Sequence, residues 1–134
     1  MEAMDRNGAL ATMKHYLYAT DSDVAHEIYR EDAVLEFPQS GERFEGLENF
    51  RAWRKLYPAR VDYELTDMRG QGDLWIAQLQ IRYDGGPPWY GVSILEFRDD
   101  KVARETIYAG EGWEAPEWRA PWRAAPPDQQ QRTE

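Results

Sequence analysis

The sequence contains no cysteine, which removes several kinds of chemistry at once. Without thiols there are no disulfides, no cysteine nucleophile and no thiolate ligands for a metal. The only histidines are His15 and His26, with no carboxylate at ligand spacing, so we predict neither a metal site nor a bound cofactor. We expect both to lie on solvated helix faces. The lack of cysteine fits a reducing compartment, and the first residues resemble no secretion signal, so we expect a cytoplasmic location.

Positive charge is also scarce, with 16 Lys and Arg residues against 25 Asp and Glu residues and a formal net charge of −9. Nucleic acids are bound by basic surfaces, and anionic membranes attract basic clusters or basic amphipathic helices. The chain has neither feature, and it lacks the run of about 18 apolar residues that a membrane span needs. We therefore expect neither nucleic acid nor a membrane as a partner.

Aromatic residues, in contrast, are plentiful, with six Trp and eight Tyr. Such side chains fill cores and line ligand pockets. Apolar residues at helical spacing predict helices over residues 4–20 and 46–56. Asp21 or Ser22 can cap a short helix between them, with Val24 on its buried face.

Alternation of apolar and polar residues predicts the strands. One short strand covers residues 33–37, and four more segments between Val61 and Ala109 are joined by short turns. Sequential strands with short connections indicate an antiparallel meander. Because helical segments come first and most strands follow, the pattern predicts an α+β fold rather than an α/β fold.

The chain length suits one domain, which we place at residues 1–124. Within it, residues 111–124 form an arm rich in Trp and Pro. Trp113, Trp118 and Trp122 favour a structural role over a lid, and we expect an ordered arm packed on the domain, with a dimer arm as the other structural possibility. Residues 125–134 are polar, and we predict that they are disordered.

Two segments carry a family resemblance. Residues 29–38, YREDAVLEFP, are followed by Gly41-Glu42-Arg43 and Gly46, and residues 91–97, GVSILEF, are followed by Asp100-Lys101-Val102 and Glu105. Together with the order of elements, they resemble the SnoaL-like branch of the nuclear-transport-factor-2-like superfamily. The resemblance implies three N-terminal helices packed on the concave face of a strongly curved, mainly antiparallel sheet, forming a cone with an internal apolar pocket.

The resemblance is less informative about activity, because the superfamily includes isomerases, cyclases, epoxide hydrolases, transport factors and non-enzymatic binding modules. Its ketosteroid isomerases carry one Asp on the strand before the Pro and another on the third meander strand. Here Phe37 and Leu95 stand at the matching positions, and only Tyr16 has a counterpart in that site. Ketosteroid isomerisation by the usual route is therefore not expected.

Two residues are candidates for catalysis. Tyr16 could donate to a developing oxyanion, and Glu105 could move a proton. For Glu105 the sequence leaves three placements open: inward as an acid or base, outward with Arg104 facing inward, or paired with an Arg. Seven further residues are predicted to line the pocket and contact substrate: Phe37, Trp53, Trp75, Tyr83, Ser93, Leu95 and Phe97.

Two hypotheses about function follow. The first is binding of a small apolar or polycyclic molecule in the pocket without turnover. The alternative is a cofactor-free acid/base enzyme, of isomerase, cyclase or hydrolase type, that uses Tyr16 and Glu105. We also expect a homodimer through the convex sheet face, because Gln78, Gln80 and Arg82 make that face polar with little charge.

Overall fold

The computed structural model describes residues 4–126. Two aspartates begin the first two helices. The Asp5 side chain accepts a hydrogen bond from the Gly8 amide at 2.8 Å and caps α1, Arg6–Leu17. The Asp21 side chain accepts from the Asp23 amide at 2.7 Å and caps α2, Ser22–Ala25, which continues as a 3-10 turn, His26–Ile28. Short polar side chains at this position satisfy amides that have no partner within the helix.

The third helix, α3, covers Leu47–Lys55. It begins after Gly46, whose φ of +90° is strained for any residue with a Cβ. Its fully buried residue is Phe50, which packs in the core beside Tyr29.

The expected burial of Val24 is wrong, because α2 leaves this side chain 40% exposed.

The six strands form one sheet. Their bounds are Tyr29–Phe37 (β1), Glu42–Glu45 (β2), Val61–Gln71 (β3), Leu74–Tyr83 (β4), Trp89–Arg98 (β5) and Lys101–Glu111 (β6). The spatial order is β2-β1-β6-β5-β4-β3, and β1 pairs in parallel with β6 while the other neighbours are antiparallel. The predicted α+β class and mainly antiparallel sheet are confirmed. The short strand β2 was not predicted, and α3 follows the first strand, as the order of predicted elements indicates.

One face of the sheet is buried beneath the helices. Along β4, Trp75, Ala77, Leu79 and Ile81 are buried, while the alternate residues lie on the other face and are mostly exposed. Helix α1 packs on β3 and α3 packs on β1. We call the buried side the inner face and the opposite side the outer face.

The C-terminal arm does not pack as expected. Its 3-10 segment, Glu117–Trp122, has no buried residue, and Trp113, Trp118 and Trp122 are 83%, 73% and 79% exposed. The expected packing of these indoles on the domain is therefore wrong. The predicted disorder of the tail falls mainly on residues 127–134, which lie outside the described residues.

Candidate functional site

A cavity of about 380 Å³ lies between the helices and the inner face of the sheet. Most of its wall is aromatic or aliphatic, with contributions from α1, α3 and strands β3 to β6. A few polar side chains interrupt this wall, chiefly Tyr16, His26, Arg54, Ser93 and Glu105. An apolar cavity with a small number of placed polar groups is the usual form of a small-molecule site.

A second, more apolar pocket of about 560 Å³ adjoins this cavity. Both are lined by Phe37, Trp53, Tyr57 and Ala109, which therefore form the boundary between them. The Trp53 indole N–H is buried without a hydrogen-bond partner among the described residues. A buried donor without a partner costs free energy, and an acceptor atom on a ligand could satisfy it.

Glu105 supplies the carboxylate of the cavity and is 2% exposed. Its Oε1 atom accepts a hydrogen bond from the Tyr29 hydroxyl. Its Oε2 atom accepts from the Ser93 hydroxyl at 2.5 Å. The Arg54 guanidinium lies 3.8 Å from Oε1. Both carboxylate oxygens therefore have partners before any ligand enters.

A β-bulge places Glu105 on the inner face. Phe97 pairs with Val102, but Glu96 pairs with Arg104, so Ala103 is an extra residue in β6. Strict alternation from the buried Val102 would turn Arg104 inward, and the extra residue turns Glu105 inward instead. Of the three placements left open by the sequence, the structure has Glu105 inward and beside an Arg. Its role in catalysis stays a prediction.

Arg54, on α3, contacts side chains from three other elements. Its Nη1 atom donates to the Tyr29 hydroxyl at 3.1 Å and to Nε2 of His26 at 3.3 Å. The guanidinium also lies 5.1 Å from the centre of the Tyr16 ring. Burial opposes its charge, but the neighbouring phenol groups and the Glu105 carboxylate outweigh burial and raise the pKa of Arg54 above its usual value. The cavity wall thus contains a permanent cation balanced by a carboxylate.

Three tyrosines surround this pair: Tyr29 is buried, and Tyr16 and Tyr63 are half-buried. Burial is the largest cause that raises the pKa of Tyr16, Tyr29 and Tyr63, because it disfavours the phenolate. A smaller effect on Tyr16 is a hydrogen bond with Tyr63, which lowers its pKa. All three hydroxyls therefore keep their protons at neutral pH and can donate hydrogen bonds. Burial also raises the pKa of Tyr83, on the same wall, to about 12.

His26 does not lie on a solvated face as expected, since it is 3% exposed and lines the cavity. The short α2 ends at Ala25, and the following 3-10 turn directs the imidazole inward. Its Nδ1 atom lies 2.7 Å from the Ser22 carbonyl oxygen. Burial is the largest cause that lowers the pKa of His26. His15, as expected, is exposed, and it bonds to Glu27 at 3.0 Å.

The other predicted site residues divide into two groups. Tyr16, Glu105 and four of the expected contact residues line the cavity; those four are Phe37, Trp53, Tyr83 and Ser93. Trp75, Leu95 and Phe97 are instead buried in the core cluster and are not among the lining residues. Trp75 uses its indole N–H to donate to the Gly72 carbonyl at 2.8 Å. These three side chains lie toward the other end of the inner face, which alternation alone does not reveal.

Sequence reasoning missed Tyr29, Arg54, Tyr63 and the inward position of His26. One signal for Arg54 was present, because it follows the buried Phe50 by four residues and so shares its helix face. No local pattern indicates that Tyr29 meets Glu105, since 76 positions separate them.

Among residues 4–126, no cluster of acidic or histidine side chains could hold a metal ion. Within the same range, none of the helices has the length and apolar character of a membrane span.

An α+β domain with this strand order and a partly polar cavity beneath its helices has the nuclear-transport-factor-2-like fold. The chain belongs to the SnoaL-like domain family, whose pattern matches residues 11–105. The family resemblance seen in the sequence is therefore confirmed. Among curated proteins, no sequence matches this chain significantly.

Several solved structures are also similar to this chain. An NTF-2 like protein of unknown function from Burkholderia xenovorans LB400 is 38% identical, with a TM-score of 0.81 over 89% of this chain and 95% of that one. A candidate ketosteroid isomerase from Kribbella flavida is 22% identical, with a TM-score of 0.77 over 90% and 91%. An LEH-like epoxide hydrolase from M. tuberculosis is 17% identical, with a TM-score of 0.64 over 77% and 83%. The latter two likenesses concern the fold alone.

The buried neutral imidazole predicts a pH dependence of stability. The folded-state pKa of His26 is below the unfolded value of about 6.5, so the unfolded chain binds the proton first as pH falls. The free energy of unfolding should therefore decrease as pH drops below about 6.5. One proton limits this contribution to about 1.4 kcal/mol per pH unit. Urea unfolding of wild type and His26→Asn between pH 5 and 8 measures it.

The His26→Asn variant should lack this part of the slope, while His15→Asn serves as a matched control for the other histidine. Hydrogen bonds from Lys or Arg are the largest cause that lowers the pKa of three aspartates, Asp23, Asp32 and Asp67. These carboxylates change the free energy of unfolding only at more acidic pH. Parallel stability curves for wild type and His26→Asn would contradict the buried, neutral placement of His26.

Proposed function

We propose that this domain binds a small, mainly apolar and uncharged molecule in the cavity beneath the helices. The observation that carries the proposal is the combination of an aromatic wall with a few polar groups buried at the same cavity. The wall supplies apolar contact area, and Tyr16, His26 and Arg54 supply oriented hydrogen-bonding groups. Such a site selects by shape and by the position of one or two polar atoms on the ligand.

The charge balance of the site supports an uncharged ligand. Arg54 and Glu105 lie 3.8 Å apart, and their side chains are only 12% and 3% exposed, so their charges largely cancel. A third buried charge would have no remaining partner and would bear a large desolvation cost. The adjoining pocket adds room for a second ring or an alkyl portion beyond Phe37 and Trp53. These features support a polycyclic or similarly extended apolar molecule.

The alternative is a cofactor-free acid/base enzyme that uses Tyr16 and Glu105. Two observations favour it: Glu105 is buried at the cavity, and Tyr16 retains its proton as a donor. Names of structural neighbours, a candidate ketosteroid isomerase and an epoxide hydrolase, indicate that this fold supports such chemistry in other proteins. Binding remains the first proposal, because both oxygens of Glu105 are already engaged by Tyr29 and Ser93.

The binding proposal predicts saturable, one-site binding of 2-naphthol, a bicyclic phenol without charge at neutral pH, in isothermal titration calorimetry. Ile107 lines the cavity and Ile76 is 37% exposed and lines none of its wall, so the two isoleucines give a matched pair. Ile107→Trp fills the cavity and should weaken binding at least about tenfold, equivalent to about 1.4 kcal/mol. Ile76→Trp should bind like wild type.

Absence of 2-naphthol binding to the wild type, or equal loss in both variants, would overturn the binding proposal. Native mass spectrometry of the purified protein adds a search for a bound small molecule. Chemical conversion of that molecule by fresh protein, slowed by Tyr16→Phe and Glu105→Gln, would favour the enzyme over the binding module.

We further propose a homodimer through the outer face of the sheet. Leu74, Ile76, Tyr90 and Tyr108 are exposed there, beside the polar and uncharged Gln78. An apolar patch among amides suits a two-fold interface, where each copy presents the same surface to the other. The proposal predicts a dimer mass by light scattering at tens of micromolar and a monomer for Ile76→Glu. A monomer mass for the wild type would contradict it.

A further inference from the structure

His26 is a buried titratable group to which the acid/base alternative assigns no role, and whose part in binding the proposed function does not specify. It is 3% exposed, lies in the wall of the cavity and belongs to the 3-10 turn between α2 and β1. The Nδ1 atom of His26 has a hydrogen bond of 2.7 Å and the Nε2 atom only a contact of 3.3 Å, which leaves the function of Nε2 open.

The hydrogen-bond partners identify the tautomer of His26. The Ser22 carbonyl oxygen can only accept, so the Nδ1 atom at 2.7 Å must carry the hydrogen. Arginine can only donate, so Arg54 Nη1 donates to the Nε2 lone pair at 3.3 Å. This distance is longer than the usual range for N–H donors, which ends near about 3.2 Å. The cavity therefore has an imidazole whose Nε2 lone pair is only weakly held.

The groups around His26 favour its neutral form. Tyr16 from α1, Tyr29 from β1 and Phe50 from α3 pack their rings within 6.2 Å of the imidazole. Among charged groups, Arg54 and Arg51 from α3 lower its pKa and Glu105 from β6 raises it, but burial is the largest cause and lowers it. The Ser22 backbone bond, which raises it, does not outweigh burial. The ring is thus a neutral acceptor at neutral pH.

Glu105 is the competing acceptor, and its position is less favourable. Its oxygens accept from Tyr29 and Ser93, and both donors are themselves buried. A ligand hydroxyl that binds Glu105 must compete with these two bonds. A ligand hydroxyl that binds His26 competes only with the long contact from Arg54, whose Nη1 atom keeps its other bond to Tyr29.

We infer that Nε2 of His26, rather than Glu105, is the hydrogen-bond acceptor of this cavity, and that the matching ligand carries a weakly acidic hydroxyl, as in a phenol or an enol. This inference rests on the proposed binding function and specifies its chemistry. Tyr16 and Arg54, on the same wall, are the donors available to the oxygen of that hydroxyl. Glu105 is then a positioning residue that holds Tyr29 and Arg54.

The test is nitrogen NMR of the full chain labelled with ¹⁵N-histidine, with and without 2-naphthol at pH 7. The sequence has two histidines, and a His15→Asn variant assigns the signals. In the free protein we expect the hydrogen of His26 on Nδ1 and an unprotonated Nε2. Saturating 2-naphthol should shift the His26 Nε2 signal toward the protonated range and leave His15 unchanged. Calorimetry on the same samples reports whether the probe is bound.

The outcomes separate the two proposals. No calorimetric binding overturns the binding function, and the inference falls with it. Binding with an unchanged Nε2 signal, or a hydrogen already on Nε2 in the free protein, overturns the inference alone. A shifted Nε2 signal that is confined to His26 supports both.

A variant gives an independent measurement. His26→Asn keeps a donor near the position of Nδ1 for the Ser22 carbonyl and removes the Nε2 acceptor. Loss of one hydrogen bond should raise the Kd for 2-naphthol about five- to tenfold, and His15→Asn should leave it within about twofold. A larger effect of Glu105→Gln than of His26→Asn, with both variants folded by circular dichroism, would make Glu105 the acceptor.

Discussion

Burial of the Glu105 carboxylate is the constraint that organises this site. A carboxylate without water must find other partners, because its desolvation otherwise costs several kcal/mol. Here those partners come from three different elements: Tyr29 from β1, Ser93 from β5 and Arg54 from α3. Satisfying one side chain on β6 therefore ties its two neighbouring strands to a helix that packs above them.

Arg54 connects the buried carboxylate to the helical side of the cavity. Its Nη1 atom bonds both Tyr29 and His26, so the end of α3 is linked to the turn after α2. Replacing a buried ion pair by apolar residues is often neutral or stabilising, so such pairs are weak evidence for stability. We therefore interpret the Arg54–Glu105 pair as an interaction that orients hydrogen-bonding groups at the cavity. Among these groups, His26 has a nearly free acceptor atom, Nε2.

The sequence predicted the fold well, because periodicity and family pattern both depend on local residues. Apolar stripes located α1 and α3, and alternation located four of the six strands near their observed bounds. Glu105 was recognised as a candidate, but its orientation depends on the bulge at Ala103, which no local sequence pattern predicts. The inward turn of His26 likewise depends on the shortness of α2, and Tyr29 meets Glu105 only through the parallel pairing of β1 with β6. Ligand, dimer and cytoplasmic location stay predictions, since none of them is set by the fold.

The account depends on energetic coupling between Glu105 and the hydroxyl of Tyr29, and a double-mutant cycle measures this directly. Urea unfolding of wild type, Tyr29→Phe, Glu105→Gln and the double variant gives the coupling free energy, because Tyr29→Phe removes the donating hydroxyl and Glu105→Gln removes the charge of the acceptor, each with little change in shape. Residues in one hydrogen-bond network couple by about 0.5–3 kcal/mol, and we expect at least about 1 kcal/mol for this buried pair. Additive effects, within about 0.3 kcal/mol, would contradict the claim that this interaction organises the cavity.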